Sequence, residues 1–206
     1  MSTISIIGAG GMATAIGGRV AKAGHTVEVM NRDPAKARTL ADKLASGATT
    51  GTYGTTPAGD IVILAVPYTS AAAVVKDYGD TLDGKVIIDI TNPVSPDAKG
   101  LVTPGGSSGA QEIAKATTSG ARFVKAFNTI FGHVLAKGGH LDAFIAADDP
   151  EAKARVSTFI ESLELRPFDV GGLPMAHTLE AVGLLLIGLA QNGAGTWDIA
   201  LNVEFG

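Results

Sequence analysis

The strongest constraint on the fold lies in the first twenty-three residues. Ile4-Ser5-Ile6-Ile7 is a short apolar run that leads directly into Gly8-Ala9-Gly10-Gly11-Met12-Ala13. Beyond it, Ala15, Ile16, Arg19, Val20 and Ala23 recur at helical spacing. A G-x-G-x-x-A turn between a strand and a helix has a specific use. Gly8 permits the tight turn, Gly10 lets a pyrophosphate approach the backbone, and Ala13 lets the helix pack close to the strand. The free N–H groups and positive dipole end of that helix then face the phosphates. The segment therefore reads as the opening of a dinucleotide-binding unit.

The rest of the chain repeats the same alternation. Candidate strands are residues 4–7, 26–30, 61–66, 86–90, 123–127, 143–146 and 167–170, separated by Ala-rich helical stretches. Ile-Val-Ile-Leu-Ala-Val from Ile61 and Val-Ile-Ile-Asp-Ile from Val86 are continuous apolar runs, as expected for strands covered on both faces. Two helix starts are explicit, Asp33-Pro34 and Asp149-Pro150, each pairing an N-cap acid with proline at the first helical position. A further helix is expected within residues 106–117, entered from a Pro- and Gly-containing loop over residues 94–106. The fold class is α/β: a Rossmann-like, doubly wound, mostly parallel sheet. One domain spans residues 1–206, and residues 171–206 form a C-terminal helical extension that lines a second-ring site or a dimer contact.

The end of the second strand identifies the dinucleotide. A carboxylate there would bond both ribose hydroxyls of NAD and repel a 2′-phosphate. Here Asn31 occupies that seat, Arg32 is its neighbour, and Lys36 lies one helical turn further on. An amide and two cations suit a dianionic phosphate, so NADP is the expected cofactor. Asp33 is read as a helix cap rather than a ribose ligand.

Ligands of open α/β sheets lie beyond the carboxyl ends of the strands. Those ends supply Ala65, Val66, Pro67 and Tyr68; then Asn92, Pro93 and Val94; then Asn128, Thr129 and Phe131. The asparagines suit an amide-bearing ring such as nicotinamide, and Tyr68 and Phe131 offer flat surfaces for stacking. No general acid is named. His133, one turn beyond Asn128, is a candidate whose ordinary reading is a packed or exposed side chain.

Taken together, these segments resemble the coenzyme F-420 (F420)-dependent NADP reductases. The residues that carry the likeness are those from Ile6 to Ile16, Asn31 to Ala37, Ala65 to Val75, Val86 to Val94, Val124 to Ile130, and the long stretch from Leu165 to Gly195. The chain also resembles the reductase domain of membrane-bound metalloreductases, which share the Lys-Ala-Phe-Asn-Thr type of segment and use a flavin. The resemblance implies that Ala9, Gly10, Gly11 and Met12 lie along the pyrophosphate. It places Asn31, Arg32 and Lys36 at the 2′-phosphate, Pro67 at the cofactor's border, and Asn92, Pro93 and Val94 near the stacked rings. At one position the chain departs from the deazaflavin enzymes, with Asn128 where they carry histidine. The second ring is thus left open between F420 and FMN or FAD.

Composition excludes several other classes. The chain has no cysteine, which removes disulfides, thiolate metal sites and thiol nucleophiles. His25, His133, His140 and His177 lack paired metal-ligand spacing, so no metal site is read. A net charge of −4 gives no basic face for nucleic acid. The longest apolar run, residues 182–190, is far shorter than the roughly 20 residues a spanning helix needs, so no membrane association is expected. The expectation is a cytoplasmic homodimeric oxidoreductase whose partner is a small redox molecule. A non-catalytic NADP-sensing domain is the reading from another class. A reductase of a different small acceptor, such as an imine or β-hydroxyacid, is the second enzymatic one.

Overall fold

The computed structural model describes residues 1–117 and 120–206. Six parallel strands form the main sheet: β1 (Thr3–Ile7), β2 (Thr26–Met30), β3 (Thr49–Gly51), β4 (Ile61–Leu64), β5 (Val86–Asp89) and β6 (Arg122–Lys125), in the order β3-β2-β1-β4-β5-β6. This is the doubly wound arrangement, whose order reverses between β1 and β4. The short edge strand β3 was not expected from sequence, because Thr49-Thr50-Gly51 carries no apolar signal. Most of the other strands stop one or two residues before the ends read from hydrophobicity, since apolar residues continue past the last ladder pairing into the turns.

The last two strands correct the single-sheet expectation. β7 (Asp142–Ile145) and β8 (Arg166–Asp169) pair only with each other, in parallel. They join the main sheet through one antiparallel bridge, in which the Lys125 and Ala146 backbones exchange hydrogen bonds of 2.9 and 3.1 Å.

Alternation along each strand fills both faces. Ile4, Ile6, Ile63 and Ile88 pack under α1 (Gly11–Lys22), α2 (Pro34–Leu44) and α6 (Pro150–Ser162). Ile7, Val62, Leu64 and Ile87 pack under α3 (Tyr68–Tyr78) and α4 (Gly109–Ala114). The continuous apolar runs follow from this double coverage. Helix starts obey their local chemistry. Asp33 Oδ1 accepts from the Ala35 N–H at 3.0 Å, Asp149 Oδ1 from the Ala152 N–H at 2.7 Å, and Ser108 with Gln111 forms a capping box.

Past β6, α5 (Gly132–Lys137) packs on α1. The C-terminal extension holds α7 (Ala176–Gly188) within a continuous helical stretch, Leu173–Gly193, of 21 residues and mean hydropathy 1.6. By length and composition it is long enough to cross a membrane, in contrast to the expectation drawn from residues 182–190 alone. A tail then runs back across α5 to β8. The Lys137 ammonium pairs with Asp198, and Arg166 and Asp142 both bond the Val203 backbone. The extension is thus helix followed by strap.

Candidate NADP site

The glycine turn has the form its residues predict. Gly8 adopts φ +128°, and a Cβ there would lie 2.0 Å from the Ala65 carbonyl oxygen, so only glycine fits between β1 and β4. Its N–H donates to the Met30 carbonyl at 2.8 Å. Gly10 caps α1 without any side-chain hydrogen bond, and no acid occupies the first turn. Space beside Gly10 and Gly11 is open for at least 4 Å. An uncapped helix start with room above it can take a pyrophosphate on its N–H groups. Ala13 is fully buried at the strand contact, as its place in the motif requires. Met12 packs half-buried against Gly132 at the head of α5.

Beside the turn, Gly8, Asn31, Arg32, Val66 and Pro67 surround a cavity of about 130 Å³, together with Ile7, Tyr53, Ser70 and Val74. The structure therefore brings Gly8, Asn31, Arg32, Val66 and Pro67, from three of the predicted segments, to one place. Ala65 lies against Gly8 at its edge, and Asn31 Oδ1 accepts the Asp33 N–H at 2.9 Å, fixing the turn into α2. Lys36 is exposed one turn beyond. A larger cavity of about 630 Å³ lies at the opposite end of the strands, around Thr3, His25 and Asp60. It is away from the strand carboxyl ends, where ligands of this architecture bind.

Arg32 is not a free cation. Its Nη2 donates to Asp77 Oδ2 at 2.7 Å, its Nε donates to the Tyr53 hydroxyl at 3.0 Å, and that hydroxyl donates to Asp77 Oδ2 at 2.8 Å. These hydrogen bonds raise the Arg32 guanidinium and hold the Asp77 carboxyl below the usual range; Tyr53 is raised first by burial and then by Asp77.

At β5 and β6 the asparagines are committed to the fold. Asn92 Nδ2 donates to the Asn128 carbonyl at 2.8 Å, and Asn128 Nδ2 donates both to Asn92 Oδ1 at 2.9 Å and to the Leu179 carbonyl at 2.8 Å. Asn128 is only 6% exposed, and its Oδ1 has no hydrogen-bond partner. Through these bonds both amides seat α7, while Asn92 stays half-buried. Gly183 makes that seating possible, since a Cβ would come within 2.7 Å of the Asn92 amide. Pro93 is buried and Val94 bridges to Leu101 in the loop beyond. Tyr68 packs against Gly109 of α4. Phe131 stacks on His133 and meets the edge of Trp197, and His133 Nε2 bonds the Trp197 carbonyl at 2.8 Å, so this histidine holds the tail.

Sequence reading missed a buried ion network beneath this seat. Lys125 Nζ lies 2.8 Å from Asp89 Oδ2 and 3.0 Å from Glu180 Oε1, and all three side chains are fully buried. Glu180 also accepts the Gly109 and Ala110 N–H groups at 2.8 and 3.1 Å, while Asp89 Oδ1 accepts the Thr91 N–H at 2.9 Å. One cation, two carboxylates and a helix start thus lock α7 onto the ends of β5 and β6. Two signals were present in the sequence. A lysine closes the buried run Phe123-Val124, and a glutamate interrupts the apolar stretch from Leu179 to Ile187. Among the described residues no cluster of three or more His, Asp or Glu side chains is arranged to hold a metal ion.

Residues 3–93 match the family described as NADP oxidoreductase, coenzyme F420-dependent. The F420-dependent NADP reductase of Methanothermobacter marburgensis is 29% identical over 188 residues, covering 83% of this chain and 84% of that one. That of Methanocaldococcus jannaschii is 29% identical over 140 residues, covering 64% and 62%. Metalloreductase STEAP3 of Rattus norvegicus is 28% identical over 187 residues; the match covers 89% of this chain but only 37% of that larger protein. A crystal structure from Arthrobacter sp. FB24, provisionally described as an F420-dependent NADP-reductase, superposes over the full length of both chains with a TM-score of 0.87 at 22% identity. An imine reductase from Aspergillus terreus shares the fold at a TM-score of 0.70 and 23% identity, over 95% of this chain and 63% of that one. The chain is thus similar to coenzyme F420-dependent NADP reductases, whose family pattern it matches over residues 3–93, and it spans well under two thirds of the length of the metalloreductase it also matches.

Proposed function

We propose that this protein binds NADP(H) and transfers a hydride between its nicotinamide and a planar deazaflavin or flavin ring. The observation that carries the reading is the open, uncapped start of α1 above Gly8, with Asn31, Arg32 and Lys36 in place of a ribose acid at the end of β2. Gly8 to Ala13 would hold the pyrophosphate. Asn31, Arg32 and Lys36 would take the 2′-phosphate, and Ala65 to Tyr68 would border the adenosine. Asn92, Pro93, Val94 and Asn128 would support the ring end, the asparagines by fixing α7 rather than by direct capture. The bound nicotinamide supplies the hydride chemistry; the protein's part is to align two rings in a dry cleft, where proximity accounts for much of the acceleration.

Among acceptors, F420 is favoured by the likeness to named F420-dependent reductases and FMN or FAD by the likeness to the metalloreductase. We place the protein in the cytoplasm, with a small redox molecule as partner and no nucleic acid. We read Leu173–Gly193 as a helix of the fold rather than of a membrane, because Glu180 within it is paired inside the protein. Its outer face carries Leu185, Leu189 and Met175, 59%, 44% and 37% exposed, and we assign that face to a homodimer contact.

The test is an anaerobic assay with NADPH and, separately, F420, FMN and FAD, following the acceptor's visible absorbance. NADH and an Arg32→Ala variant serve as controls. NADPH-specific bleaching of F420 supports the deazaflavin reading, and bleaching of FMN or FAD alone moves the protein to the flavin users. NADPH binding without bleaching of any acceptor leaves nucleotide sensing or a different small acceptor. Size-exclusion chromatography with light scattering reads the oligomeric state; a monomer refutes the dimer.

A further inference from the structure

Three groups on separate elements converge at the seat of the 2′-phosphate. Arg32 follows β2, Tyr53 follows β3, and Asp77 lies in the last turn of α3. The Asp77 carboxylate takes a hydrogen bond from each of the other two, at 2.7 and 2.8 Å, and the guanidinium also lies over the Tyr53 ring, 5.2 Å from its centre. The triangle is closed on itself. Asp33, the other acid nearby, is spent on capping α2. The cation chosen to meet a dianion is therefore already matched to an anion.

We propose that Asp77 is a specificity-determining residue of the dinucleotide site, restraining its preference for NADP(H) over NAD(H) by competing with the 2′-phosphate for Arg32. The inference rests on the NADP reading above and deepens it. A 2′-phosphate has two ways to engage Arg32. It takes guanidinium N–H groups from Asp77, or it shares the cation while that carboxylate repels it. Either way part of the attraction is lost. NADH has no 2′-phosphate, so Asp77 is nearly silent toward it. The Arg32 and Asp77 side chains are 56% and 46% exposed, so solvent screens the competition and its effect is modest and salt-dependent.

The experiment titrates the full chain with NADPH and with NADH, following nucleotide fluorescence, at low and high salt. Wild type is compared with Asp77→Asn, Arg32→Ala and the double variant. Asp77→Asn keeps the side chain's size and an oxygen for the Tyr53 hydroxyl. It is expected to tighten NADPH about threefold at low salt and to shift NADH little. The gain should shrink at high salt, and in the Arg32→Ala background, where only repulsion of the phosphate by Asp77 is left, it should still be confined to NADPH. Weaker NADPH binding by Asp77→Asn would overturn the proposal, because Asp77 would then be holding Arg32 in place for the phosphate. Equal shifts for both nucleotides, in either background, would also overturn it. A wild-type protein that binds NADPH but reduces no acceptor removes the hydride-transfer reading and leaves this one standing. Failure to bind either nucleotide removes both.

Discussion

Replacing Lys125 by methionine isolates the energetics of the buried ion network. The side chain keeps its length and loses its charge, leaving Asp89 and Glu180 facing each other without the cation that sits 2.8 and 3.0 Å from them. Removing one partner of a buried pair costs about 3–5 kcal/mol, because the other charge stays buried. Asp89 retains the Thr91 N–H and Glu180 retains two N–H groups at the start of α4, which favours the lower end of that range. For a chain of this size that loss lowers Tm by about 6–20 °C. Urea unfolding followed by far-UV circular dichroism should show a lower midpoint at an unchanged slope. Adding Glu180→Gln removes the second unpaired carboxylate and should restore about 1–2 kcal/mol, which would be a non-additive double-mutant cycle. If Lys125→Met unfolds within about 1 kcal/mol of wild type, the network is not a net constraint on α7 and the reasoning fails.

Three further outcomes follow from particular residues. Gly8→Ala forces a side chain at φ +128° into the Ala65 carbonyl; a loss of about 3 kcal/mol or more is expected in urea melts, with NADPH affinity at least about tenfold weaker. Burial pushes the Tyr78 phenol up to about 12 and also raises Tyr53 and Tyr68, so an alkaline absorbance titration should find most phenols still neutral near pH 10, whereas in the urea-unfolded chain all three have their midpoint there. The stabilisation linked to the neutral Tyr78 phenol is complete below pH 10 and disappears as pH rises towards 12. Burial raises the Asp142 carboxyl, but the Arg166 fork at 2.8 and 2.9 Å and the Val203 N–H outweigh it and hold the group low. Its contribution is present at neutral pH and lost as pH falls below about 4, so protection of the tail amides against hydrogen exchange should drop with acid in wild type and lose that dependence in Asp142→Asn.

Legibility from sequence followed the range of the interactions. The turn at Gly8, the caps at Asp33 and Asp149, and the strand–helix alternation depend on neighbours within a few residues, and each was found where the pattern put it. β3 was missed because its three residues are held by a neighbouring strand rather than by their own hydrophobicity. The asparagine pair was noticed, but not its contacts within the fold. Asn92 and Asn128 are 36 residues apart, and the carbonyl of Leu179 that completes their set lies 51 residues beyond Asn128.

Residue order alone is enough for the α/β architecture, the glycine turn at Gly8 and the presence of Asn31 and Arg32 rather than an acid after β2, since backbone conformation and side-chain periodicity are local properties. Tertiary structure alone decided what those groups face. Whether Arg32 is free for a phosphate depends on Asp77, 45 residues away on α3. Whether the C-terminal helix lies on the sheet depends on Lys125 meeting Asp89 and Glu180 in a fully buried interior. Electrostatic partners are chosen by distance in space and by exclusion of water, and neither quantity is written in residue order.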